Sequence, residues 1–74
     1  MKEYMITFYG DNRAETITAT PKLAQTIFVA LCNYYDLDTS RVRITDDEND
    51  EFCRAYITDE AGDCVGMIAR KDTI

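Results

Sequence analysis

"FCRAYITDEAGDCVGMIAR", residues 52–70, decides the fold. Asp59-Glu60-Ala61-Gly62-Asp63 has the chemistry of a type I turn closed by a glycine in the left-handed conformation. That turn makes a three-residue hairpin loop with a bulge. The run before it alternates, with Cys53, Ala55 and Ile57 on one face and Phe52, Arg54 and Tyr56 on the other. Carrying the turn register outward pairs Ile57 with Val65, Ala55 with Met67 and Cys53 with Ala69, an apolar set expected to face the core. The opposite face is expected to pair Tyr56 with Gly66, Arg54 with Ile68 and Phe52 with Arg70.

Upstream, "RVRIT" (41–45) alternates in the same way, with Val42 and Ile44 inward and Arg41 and Arg43 outward. At the N-terminus, "EYMITFY" (3–9) places Tyr4, Ile6 and Phe8 on one face. "GDNR" (10–13) supplies turn residues, and "AETITAT" (14–20) resumes a β-branched strand. Thr20-Pro21 reads as a helix start, with a hydroxyl for the N-cap and a proline where a backbone N–H has no partner. The following "PKLAQTIFVALCNYYD" (21–36) carries an apolar stripe at Leu23, Ile27, Ala30, Leu31 and Tyr34, widened by Ala24, Phe28 and Tyr35. Lys22, Thr26, Val29 and Asn33 form its opposite face. The expected fold is therefore α+β in the order ββαβββ, a single mostly antiparallel sheet with one amphipathic helix packed on one face. It occupies residues 1–74 as one small domain.

The 74 residues include 14 acids against 8 Lys and Arg, a net charge of −6, with 46% hydrophobic residues. That is a globular composition, and its charge opposes a nonspecific coat on nucleic acid or anionic membrane. It suits a protein partner with a basic surface. No apolar run approaches the ~20 residues of a membrane helix, and "MKEYMITFYG" (1–10) lacks the pattern of a signal peptide. A cytoplasmic location in a host cell is expected. Histidine is absent, the three cysteines form no CxxC pair, and no phosphate-binding glycine loop occurs. A non-enzymatic protein without metal or cofactor is the expectation.

Two surfaces stand out. Five of the six residues from Asp46 to Glu51 are acidic: Asp46, Asp47, Glu48, Asp50 and Glu51. Counted from Asp46, the glycine and glutamate positions of an EF-hand loop fall on Glu51 and Ile57, so that calcium motif fails. A solvated turn and a docking patch for a basic partner both remain open. The second surface is the sheet face opposite the helix, expected to hold Arg41, Arg43, Phe52, Arg54, Tyr56 and Arg70, with Arg43 directly across from Arg54. Its arginines and aromatics resemble an RNA platform of the RRM type, but ββαβββ is not the RRM order and the RNP motifs are absent. Protein contact, including a homodimer through the sheet, fits it better than direct nucleic-acid binding.

"ETITATPKLAQTIFVALCNYYDL" (15–37), which runs a strand straight into a capped helix, is followed by "VRI" (42–44) and a glycine-turn hairpin. In length and order this resembles several small anti-CRISPR and other phage-borne inhibitors. The resemblance implies an acidic, non-enzymatic protein that binds a nucleic-acid-handling complex. It assigns no residue roles, since no signature motif carries it.

Overall fold

A computed structural model describes residues 1–10 and 13–71. The expected turn at Asp11 and Asn12 lies outside the described residues. Five strands and one helix follow in the expected order: β1 (Lys2–Phe8), β2 (Arg13–Ala19), α1 (Pro21–Tyr34), β3 (Val42–Asp46), β4 (Phe52–Thr58) and β5 (Cys64–Arg70). A single turn of 3-10 helix, Thr39–Arg41, leads into β3. The strands form one sheet in the order β2-β1-β5-β4-β3, with every neighbouring pair antiparallel. The helix leaves one edge strand and delivers the chain to the other.

Local chemistry explains the helix start. Thr20 Oγ1 accepts a hydrogen bond from Leu23 N at 3.2 Å, and Pro21 occupies the first turn. The buried line of the helix is Ala24, Phe28 and Cys32, with Ile27, Leu31 and Tyr35 packed beside it. The expected stripe is thus rotated: Leu23 and Tyr34 are 48% and 79% exposed, and Ala30 is exposed. The helix is apolar around much of its circumference. Packing of the large Phe28 ring onto the sheet chose the side.

Both long hairpin expectations need correction, by one residue between β4 and β5 and by two between β3 and β4. Gly62 adopts φ 88° and the turn closes through Asp59 N to Asp63 O, as its residues demand. Past the pair Thr58–Cys64 the register then shifts, so Ile57 faces Gly66, Tyr56 faces Met67, Ala55 faces Ile68 and Arg54 faces Ala69. Val65 is the extra residue of this bulge. A bulge turns every later side chain of its strand to the opposite face. Ile68 and Arg70 therefore point to the helix side, and Met67 and Ala69 point away.

A second irregularity pairs Thr45 with Arg54 but Asp46 with Phe52, which leaves Cys53 over. It brings Phe52 into the core, where its ring stacks on Tyr4 at 5.7 Å and its carbonyl accepts the Tyr4 hydroxyl at 3.0 Å. The helix side of the sheet is filled by Tyr4, Ile6, Phe8, Phe52, Ala55, Ile57 and Ile68 against α1. Val42 and Ile44 lie on that side as expected. Ile44, on the outermost strand, remains 44% exposed.

Candidate functional site: the open sheet face

Two cross-strand rows run over all five strands on the face the helix leaves uncovered. One is Thr16–Met5–Ala69–Arg54–Thr45, and the other is Ala14–Thr7–Met67–Tyr56–Arg43. Tyr9 closes the end of the second row, its hydroxyl donating to Met67 Sδ at 3.1 Å. Tyr9 and Tyr56 are 51% and 41% exposed. Arg43 and Arg54 are exposed, and among the described residues neither forms an ion pair. Arg43 sits across from Tyr56, so the two arginines are diagonal neighbours and the expected head-on Arg43–Arg54 repulsion does not arise. At one end of this face Glu3 and Lys71 neutralise each other at 3.4 Å.

Three of the six residues expected on this face lie elsewhere. Arg41 belongs to the 3-10 turn; its guanidinium reaches Asp59 O at 3.3 Å and Asp38 Oδ2 at 3.6 Å. Phe52 is core. Arg70, turned inward by the Val65 bulge, is 8% exposed and bonds Asp47 Oδ2 at 3.0 Å, with Glu51 Oε2 at 3.9 Å. A buried guanidinium requires such carboxylates, because an unpaired buried charge is costly.

That contact also divides the acidic turn. Asp47 Oδ1 accepts from Asn49 N at 2.9 Å and from Glu51 N at 3.2 Å, while Oδ2 holds Arg70. These bonds favour the carboxylate, with the backbone amide of Asn49 the largest influence and Arg70 next, and hold Asp47 below the usual aspartate range. Asp46, Glu48 and Asp50 remain exposed. The turn has the same construction as its counterpart at the other end of β4. Asp59 Oδ1 accepts from Ala61 N at 2.9 Å and Asp63 N at 3.0 Å, and the fourth residue of each turn, Asp50 or Gly62, has positive φ. The repeated pattern Asp-Glu-x-x-acid at 47–51 and 59–63 was the sequence signal for this shared architecture, and it marks the leading aspartates as turn formers.

The open face is consequently a cationic, aromatic band between two acidic ends, Asp46, Glu48 and Asp50 at one and Asp59, Glu60 and Asp63 at the other. Among the described residues no group of three or more Cys, Asp or Glu side chains is arranged to hold a metal ion. One apolar depression is lined by Phe8, Gly10, Tyr35, Leu37 and Val65. Among the described residues no helix is long and apolar enough to cross a membrane. No protein-family description, curated protein or solved structure matches the chain.

Proposed function

We propose that this chain is a non-catalytic binding protein whose contact surface is the open sheet face. The observation that carries the reading is the pair Arg43 and Arg54, unneutralised on an exposed, half-apolar face of a protein with net charge −6. Fourteen acids were available to neutralise them, and the described ones lie elsewhere or are already engaged. Arginine, tyrosine and methionine, all present on this face, are residue types enriched at protein contacts. The guanidinium fork selects carboxylates presented in pairs or at a helix end. The partner surface is accordingly acidic with apolar groups at its centre. A polyphosphate chain suits the band less well, because phosphates beyond the two arginines meet the acidic turns.

A second reading, in which Asp46, Glu48 and Asp50 dock on a basic surface of a nucleic-acid-handling protein, is favoured by their exposure on a turn stiffened by Asp47. Differential capture from a lysate of the source organism separates the two. The sheet-face reading expects Arg43→Glu/Arg54→Glu to lose the captured protein and Asp46→Asn/Glu48→Gln/Asp50→Asn to retain it. The opposite result transfers the contact to the turn. Saturable binding of a single-stranded RNA decamer that is lost in Arg54→Glu would replace the protein partner by nucleic acid.

A further inference from the structure

The two edges of the sheet are built differently. On the β3 edge the strand has five residues, its pairing carries a bulge at Asp46, and Arg43 folds back to donate to Val42 O at 3.2 Å and Ser40 O at 3.3 Å. Short length, a bulge and a folded-back cation are means by which proteins blunt an edge. The β2 edge has none of them. It runs seven residues, RAETITA, without proline, lysine, bulge or register shift, and among the described residues no strand lies beside its outer row of backbone N–H and C=O groups. Its charges, Arg13 and Glu15, neutralise each other at 3.1 Å. The strand is thus a neutral strip on a molecule otherwise strongly acidic.

We propose that the β2 edge pairs with the β2 edge of a second copy of this chain about a twofold axis at Thr16. Sequence and charge both select this occupant. Antiparallel pairing about Thr16 places Thr16 against Thr16, Glu15 against Ile17, Ala14 against Thr18 and Arg13 against Ala19, so no like charges stand directly opposite each other, and the two Glu15 side chains are only diagonal neighbours. A symmetric contact uses the same patch twice, and this patch is self-complementary. The result is a continuous ten-stranded sheet with both helices on one side.

The helix flank above β2 supports the same occupant. Tyr34 lies with Leu31 over Arg13 and Glu15, and Leu23 lies on the same helical flank two to three turns earlier. Leu23 is about half exposed and Tyr34 largely so. In the twofold arrangement the helices run antiparallel, which sets Leu23 of one copy near the level of Tyr34 of the other. The apolar flank that the monomer leaves in water then faces its own image. The acidic ends of the two copies lie away from the axis.

Sedimentation equilibrium on the purified chain at high micromolar concentration is expected to give twice the chain mass. Thr16 is exposed on the uncovered face, so Thr16→Lys and Thr16→Glu preserve the monomer fold while setting like charges against each other at the axis. Each variant alone should weaken dimerisation by at least about tenfold, and an equimolar mixture should restore it as a heterodimer. Arg54→Glu, on the other half of the sheet, should leave the dimer unchanged, so this contact and the partner contact proposed above succeed or fail separately. A monomeric wild-type chain, dimers of both Thr16 variants, or a mixture that stays monomeric would each overturn the twofold pairing.

Discussion

Gly66→Ala is the most direct probe of how the strands settled into register. A Cβ at residue 66 would lie 2.6 Å from Phe8 Cδ1, 2.7 Å from Phe8 Cε1 and 3.3 Å from Ile57 Cγ2. Ordinary carbon contacts are ~3.5–4.0 Å, so the Phe8 ring must retreat by about 1 Å. It has little room to do so, since it is stacked 5.7 Å from Phe28 and tilted 4.8 Å from Tyr35. Overpacking of this kind costs about 1–3 kcal/mol. Alanine regains about 0.5–1 kcal/mol over glycine within a strand. The expected net loss is roughly 1–2 kcal/mol, a fall in Tm of roughly 4–15 °C for a domain of this size. Urea titration and thermal melting followed by circular dichroism measure it. Adding Phe8→Leu should relieve part of the Gly66→Ala loss, giving a coupling energy above about 0.5 kcal/mol. A Gly66→Ala variant as stable as the wild type, or a strictly additive double variant, would refute the claim that the Phe8 ring occupies the glycine's place.

Three further outcomes follow from packing and titration. Phe28→Ala should cost about 3–5 kcal/mol while Leu23→Ala costs below about 1 kcal/mol, and equal losses in denaturant titration would reverse the observed helix phase. Asp47 has a folded-state pKa below its unfolded value, so it contributes stability above the ordinary aspartate range that is lost as pH falls through the depressed value. The Tm advantage of wild type over Asp47→Asn should accordingly shrink between about pH 5 and about pH 2, and a constant gap would contradict the Arg70 and backbone contacts. Burial raises the Cys32 thiol to about 11, whereas Cys64 is exposed, and all three cysteines are free. A thiol reagent at neutral pH should modify Cys64 first and Cys32 only on unfolding, with three thiols titrated in denaturant; rapid native labelling of Cys32 would show that the helix does not cover it.

Alternation in "EYMITFY" and "RVRIT", the Thr20-Pro21 helix start and the Gly62 turn are local properties, and each acts through bonds within a few residues. They were enough to establish the element order, the single helix and the sheet. They also placed Arg43, Arg54 and Tyr56 together on the uncovered face. They did not reveal the two bulges. β5 is apolar on both of its faces, with Val65, Met67 and Ala69 on one period and Ile68 on the other, so its pattern accepts either register. The choice came from another part of the chain: Phe8 fills the space above Gly66, and Tyr4 takes the Phe52 carbonyl. Those long-range fits turned Arg70 and Phe52 inward and converted two of the five acids of the turn, Asp47 and Glu51, into counter-ions for a buried arginine. The helix was undecided for the same reason. Apolar residues surround much of it, and only the shape of the sheet beneath determined that Phe28, not Leu23, is buried. Local hydrogen-bond chemistry names an element, whereas the face it buries depends on which distant side chains fill the same volume without overlap.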